Sequence, residues 1–283
     1  DFSVEKDRHR VRSDSTIPAI AADALLAEDS RPRASQVEEG LLVILRGVNL
    51  NPGAEIEDMV SIRLWIEPGR VVSTGRRKLR SLDEVVAGYE PGAAPFSSGQ
   101  FVARLVQLLG DYIGDAVEQI EDALERSEDQ ASDFSHVIRN SPFSVLRRQT
   151  ARIRRYIAPQ KEALERLSRF QTPAISENDR AVFYEQANRL TLMLEDLDLV
   201  RERALVAQEE FMAVLAHEQN TRMLLLSVIA AIFLPLSFLT GLMGMNVAGL
   251  PGLENPAAFW ILVGLMLLLA AGILLLLWRR RWL

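Results

Sequence analysis

Gly244-Met245-Asn246 stands near the middle of the 56 positions between Arg222 and Arg279, a stretch in which Glu254 is the sole ionisable residue. The chemistry open to such a triplet is narrow. The Asn246 amide offers a neutral oxygen acceptor. Several copies round an axis would form a ring that hydrogen-bonds the water shell of a cation without trapping the ion as carboxylates would. Gly244 lets backbone carbonyls approach that axis, and Met245 suits packing of the mouth. Glu254 would add the one nearby negative charge, or is simply a solvated loop carboxylate.

Running back from the triplet, alternate steps of three and four pick out Asn220, Met223, Ser227, Ala230, Leu234, Ser237 and Gly241. This is a heptad-type seam of small, polar or flexible side chains on an otherwise bulky helix. Such a seam either lets membrane helices pack closely or lines a water-filled path. Two spans cannot enclose a path alone, so conduction requires several copies round an axis, with the seam as its lining. The same register continues into Glu209, Glu202 and Glu195 at seven-residue intervals, separated by Ala213, Val206 and Leu199. Stacked in a ring of protomers, these acids would focus divalent cations. Each taken alone also fits a solvated helix face. Asp196, Asp198 and His217 are further cation candidates, His217 being equally well read as a polar residue at the membrane interface.

The elements that must hold these residues follow from hydropathy. Segments 223–243 and 259–278 are each close to the roughly 20 residues a helix needs to cross about 30 Å of hydrocarbon. Between them GMNVAGLPGLENPAA (244–258) is rich in Gly, Pro and Asn and reads as a short loop on the far side. Arg222 abuts the first span, Arg279, Arg280 and Arg281 follow the second, and the loop has no Lys or Arg. That asymmetry predicts both termini in the cytosol, with 279–283 as a basic cytosolic tail and 244–258 as a periplasmic loop. No apolar run lies near residue 1, which argues against a secretory signal.

Residues 1–96 carry mixed signals. GLLVILRGVNL (40–50) and MVSIRLWIEPGRVVSTG (59–75) are rich in Val, Ile and Leu, and Pro68-Gly69 interrupts the second as in a strand hairpin. PAIAADALLAE before them and SLDEVVAGYE after them have helical spacing. The reading is an α+β cytosolic domain with a small, largely antiparallel sheet, closed by a Gly- and Pro-rich linker over 88–99. Residues 97–222 then read as long cytosolic helices forming a stalk. One runs over about 98–129, a second over 142–170, and a third from Ser176, capped with Asp179, through Pro235 to Met243. The last would be about 100 Å long at 1.5 Å per residue.

Composition narrows the function. Setting aside the three C-terminal arginines and Glu254 from 32 basic and 38 acidic residues leaves 29 against 37, a net of −8 before the membrane. Such a surface attracts cations and repels nucleic acid. There is no cysteine, and the three histidines are scattered, so no thiolate or zincin-type metal cage can be built. Without a phosphate-binding Gly-rich loop, a Cys nucleophile or a His-acid constellation, an enzyme is not expected, and ATP is not a direct energy source. An inside-negative potential of 100 mV drives a divalent ion inward by roughly 4.6 kcal/mol, twice the single-charge value. Uptake is the easier direction.

At IFLPLSFLTGLMGMN (232–246) the sequence resembles the CorA superfamily of divalent-cation transporters, whose hallmark is a Gly-Met-Asn triplet ending the first of two C-terminal spans. QNTRMLLLSVIAA (219–231) continues the resemblance, as does the WRRRWL ending. Magnesium-transporting members usually carry an aromatic residue before the triplet and Met-Pro-Glu-Leu after it. Here Met243 precedes it and VAGLPG (247–252) follows, which resembles the ZntB zinc-transporter branch. LLAEDSRPR (25–33) and LRGVNLNPGAEIEDMVSIRLW (45–65) are similar to that branch too. The resemblance implies a funnel-shaped homopentamer in the bacterial inner membrane with the triplet at its outer mouth, where Asn246 meets the metal through its hydration shell. The reading that goes with it has Zn2+ as cargo, with Mg2+, Cd2+, Ni2+ and Co2+ as further cargo, lipid and the chain itself as partners, and no cofactor; the residues leave proton coupling open, with His217 and Glu209 the candidate proton-binding groups outside the spans. A CorA-type channel for magnesium, cobalt or nickel is the nearest alternative. A non-conducting, membrane-anchored oligomeric scaffold is the alternative from another class.

Overall fold

A computed structural model describes residues 5–28, 31–88, 96–131, 142–245 and 255–279. Asn246, Glu254 and most of the 88–99 linker lie outside them. The chain divides into two compact units, Asp1–Gln208 and Glu209–Leu283.

The first unit is built on a four-stranded antiparallel sheet: β1 (Arg33–Val37), β2 (Gly40–Val48), β3 (Met59–Glu67) and β4 (Arg70–Thr74), in the order β1-β2-β3-β4. In β2 only Arg46 escapes full burial, because elements cover both faces of the sheet there. That is why its sequence is a continuous apolar run instead of an alternation. On one face Leu42 and its cross-strand partner Trp65 pack with Ile17, Ala21, Ala22 and Leu25, the last three from helix α2 (Ala19–Leu26), which follows α1 (Glu5–Arg12). On the other face Gly47 lies against Leu79 and against Leu109 of helix α4 (Ser98–Ala131), and a Cβ there would collide with Leu109. Gly69 takes φ 77° after Pro68, the residue types and dihedral of a type II turn, and closes the β3–β4 hairpin.

Helix α3 (Arg80–Ala87) precedes α4, and α5 (Pro142–Leu167) and α6 (Glu177–Met243) follow it. The β1–β2 ladder ends at Arg33↔Ile44, and beyond it the Arg46 amide donates to Gln160 Oε1 of α5 at 2.6 Å, so this backbone group is satisfied by a side chain. Glu57, in the β2–β3 loop, accepts hydrogen bonds from Gln149 at 3.0 Å and Arg152 at 3.2 Å. Ion pairs join α4 to α6 (Asp111 with Arg189 at 2.9 Å, Glu128 with Arg203 at 2.5 Å) and α5 to α6 (Arg154 with Asp198 at 2.5 Å). Ser176 and Asp179 form a reciprocal cap: the Asp179 amide donates to Ser176 Oγ at 3.3 Å, and the Ser176 amide donates to Asp179 Oδ2 at 2.9 Å.

The second unit holds the C-terminal part of α6 and helix α7 (Ala258–Arg279). Both helices are long and apolar enough to cross a membrane. Pro235 sits inside α6 without ending it, as membrane helices tolerate.

Candidate ion-conducting segment

The membrane part of α6 has two unlike sides. Leu224, Val228, Ile232, Pro235, Leu236 and Leu239 are buried or half-buried. The seam residues Asn220, Met223, Ser227, Ala230, Leu234, Ser237 and Gly241 are all exposed, Met223 at 66% and Leu234 at 71%. A single copy therefore leaves the whole seam uncovered. At Gly241 a Cβ would meet nothing within 4 Å.

The hydroxyls on this helix turn back to its own backbone. Ser227 Oγ donates to the Met223 carbonyl at 2.8 Å, and Thr240 Oγ1 donates to the Ser237 carbonyl at 3.0 Å. A serine that has spent its proton in this way presents only acceptor lone pairs outward. An oxygen so oriented suits the water shell of a cation. The helix then stops at the triplet: the Gly244 amide donates to Thr240 O at 2.9 Å and the Met245 amide to Leu242 O at 3.5 Å. The last carbonyls of α6 lie next to Gly244 and Met245, and the negative end of the helix dipole favours cations there. The sequence points to carbonyls near Gly244, and the helix end shows which ones: the last carbonyls of α6 before the triplet.

The cytosolic candidates separate. Glu195 and Glu202 are exposed on α6 together with Leu199 and Val206, and Glu209, the first residue of the second unit, is exposed as well. Asp198 is charge-balanced by Arg154. Asp196 instead lines a groove of about 620 Å³ between α4 and α6 with Asp111, Asp115, Glu118, Glu121 and Arg189. Burial pushes the Glu121 carboxyl above its ordinary range, and the neighbouring charge of Asp196 adds to the shift. Neither residue has a sequence signal for this meeting, since they lie on different helices. His217 is exposed, with its carbonyl accepting the Thr221 hydroxyl at 3.0 Å, and Glu218 pairs with Arg222 at 3.4 Å. Among the described residues, no three His, Cys, Asp or Glu side chains converge as a metal cage.

An α+β unit, long helices and two apolar C-terminal helices ending in this arrangement define a recognisable class. Residues 1–281 match the family described as CorA-like Mg2+ transporter protein, and the chain belongs to that family. Among its relatives, the divalent cation transporter CmaX of Pseudomonas aeruginosa is 38% identical over all of this chain and 86% of its own length. The zinc transport protein ZntB of Pectobacterium atrosepticum is 31% identical over 95% of this chain and 86% of its own. Among solved structures, full-length CmaX aligns with a TM-score of 0.85 at 37% identity, covering 100% of this chain and 87% of that one. The complete CorA magnesium transporter of Methanocaldococcus jannaschii aligns with a TM-score of 0.79 at 16% identity, over 98% and 88% of the two chains, and shares the fold.

Proposed function

We propose that this chain transports divalent cations, zinc foremost, inward across the bacterial inner membrane through a homopentameric pore lined by the α6 seam, with both termini cytosolic. The observation that carries this reading is the exposed seam from Asn220 to Gly241, which leads along one helix to Gly244 with no ionisable side chain beyond Arg222. Two spans per copy cannot enclose water, so the seam becomes a lining only when copies surround an axis. Gly244, Met245 and Asn246 form the outer mouth in this reading, where neutral oxygens hold a hydrated ion weakly enough for it to leave. Glu254 lies at the same mouth. Glu195, Glu202 and Glu209 line the cytosolic funnel and draw the ion on. The residues flanking the triplet, Met243 and VAGLPG (247–252), favour zinc over magnesium by their resemblance to ZntB.

Inward movement follows from the membrane potential, which supplies about 4.6 kcal/mol per 100 mV for a double charge. A proton gradient adds drive through a carboxylate or histidine outside the spans, with His217 and Glu209 as the carriers. The test is flux into liposomes containing purified protein, comparing Zn2+ with Mg2+, Cd2+, Ni2+ and Co2+, each with and without an inward proton gradient. Zinc influx enhanced by the gradient supports the reading. Gradient-insensitive magnesium influx with little zinc transfers the chain to the magnesium side of the family, and no flux of any ion leaves a membrane-anchored scaffold. An assembled Asn246→Ala protein that still carries zinc at the normal rate removes Asn246 from the filter.

A further inference from the structure

Two helices of the first unit carry opposite charge on exposed sides, the N-terminal half of the acidic one also bordering the groove that holds Asp196 and Arg189 of α6. Along α4, Asp111, Asp115, Glu118, Asp122, Glu125 and Asp129 recur at steps of four and three, and all six are exposed. The stripe is about 27 Å long at 1.5 Å per residue. It runs along the helix side opposite the buried row that contains Leu109, Ile113, Ile120 and Leu124. Along α5, residues 142–161 contain Arg147, Arg148, Arg152, Arg154, Arg155 and Lys161 and no acid.

The inward flanks of both helices already use part of this charge within the chain. Arg147 donates to Gln208 at 3.2 Å, Arg152 reaches Glu57, and Arg154 pairs with Asp198. On α4, Asp111 and Glu128 take Arg189 and Arg203 of α6. Arg148 and Arg155 lie on the outer side of α5, exposed, two helical turns apart, with the small exposed Ala151 between them and the Arg155 guanidinium 5.9 Å from the Tyr156 ring centroid. Each copy thus presents an acidic rod on one helix and a basic one on the next. A contact that matches them joins unlike faces of two copies, and such head-to-tail contacts close into a ring when repeated about an axis.

We infer that the α4 stripe of one copy docks along the outer face of α5 of the next, making this pair an electrostatic inter-subunit contact of the first unit. The inference rests on the reading that several copies surround an axis, and charge complementarity selects a second copy of this chain as the occupant. The contact sets register and partner choice more than raw affinity, as exposed charge pairs do.

The absence of native cysteine makes the test direct. Full-length Gln119→Cys protein, labelled beside Glu118, is co-expressed with full-length Ala151→Cys protein and treated in liposomes with a short bismaleimide. A mixed 119–151 cross-link is expected, falling roughly fivefold near 1 M salt, where the Debye length shrinks to about 3 Å. Adding Glu118→Lys and Glu125→Lys to the first protein abolishes it, and adding Arg148→Glu and Arg155→Glu to the second restores it. Absence of the mixed product, or only 119–119 and 151–151 products, overturns the inference. So does an environment-sensitive dye on the Ala151→Cys protein that responds only to anionic lipid, since lipid headgroups would then be the occupant of α5. Zinc flux measured on the same liposomes keeps the two readings apart: flux without the cross-link sinks the contact alone, and the cross-link without flux sinks transport alone.

Discussion

The Glu57–Arg152 pair predicts an inverted order of damage. Glu57 has a side chain only 4% exposed, whereas Arg152 is 54% exposed. Truncating the exposed partner, Arg152→Ala, leaves a buried carboxylate with Gln149 as its remaining side-chain donor at 3.0 Å. Stranding a buried charge costs more than losing an exposed one, so we expect about 2–3 kcal/mol. Neutralising the buried partner, Glu57→Gln, keeps the volume and an acceptor for Gln149 and releases Arg152 to water, at a cost of about 1 kcal/mol or less. The double variant should cost little more than Glu57→Gln alone, a coupling of about 2 kcal/mol or slightly more. For a unit of this size each kcal/mol is worth roughly 2–4 °C, so Arg152→Ala should lower Tm by about 5–10 °C and Glu57→Gln by about 3 °C or less. Differential scanning fluorimetry of the full-length proteins in one detergent at one protein concentration reads all four corners of the cycle. An Arg152→Ala protein within about 1 °C of wild type, or a Glu57→Gln protein less stable than Arg152→Ala, would refute the reasoning.

Three further outcomes follow from the same geometry. Glu121 has its carboxyl raised mainly by burial, so the stability linked to its protonation is full below the ordinary carboxylate value and is lost as pH rises through the folded one. Glu121→Gln should therefore raise Tm near pH 7 and converge with wild type in acid, and equal curves across pH would sink the assignment. Ser227→Leu should cut zinc flux to on the order of a tenth or less, because every copy narrows the path and removes an outward acceptor; full flux in an assembled protein would take the seam off the lining. Replacing Glu195, Glu202 and Glu209 together by Gln should lower outward current from the cytosolic side about tenfold near 0.01 M ionic strength. The effect should be much smaller near 0.15 M, where the Debye length falls from about 30 to about 8 Å.

The long elements were legible because their periods are unmistakable. The sequence reading of a helix over about 98–129 meets α4 at Ser98–Ala131, and that of a helix from Ser176 to Met243 meets α6 at Glu177–Met243. Strand β1 left no such trace: RASQV is mostly polar, only Ala34 is fully buried, and an edge strand of this kind shows no apolar alternation. Helix α1 was equally silent, since EKDRHRVR has too few apolar residues to set a period. For the candidate site, the seam was readable as a spacing, and its residues lie on the part of α6 that a single copy leaves exposed. The fates of the neighbouring acids were not readable. Glu195, Asp196 and Asp198 stand almost side by side in sequence, yet one is solvent-exposed, one faces the α4 groove and one is paired with Arg154. Those differences are set by residues on α4 and α5 that no local window contains.

The strand order also sets a schedule for synthesis. Each strand pairs with its neighbour in sequence, so the last residue the sheet needs is Thr74, and the first apolar span begins about 150 residues later. At roughly 5–20 residues per second, about 7–30 s separate the two events. All four strands are therefore synthesised well before the first of the two apolar C-terminal spans. The antiparallel order thus lets the sheet pair during synthesis without waiting for α6 or α7.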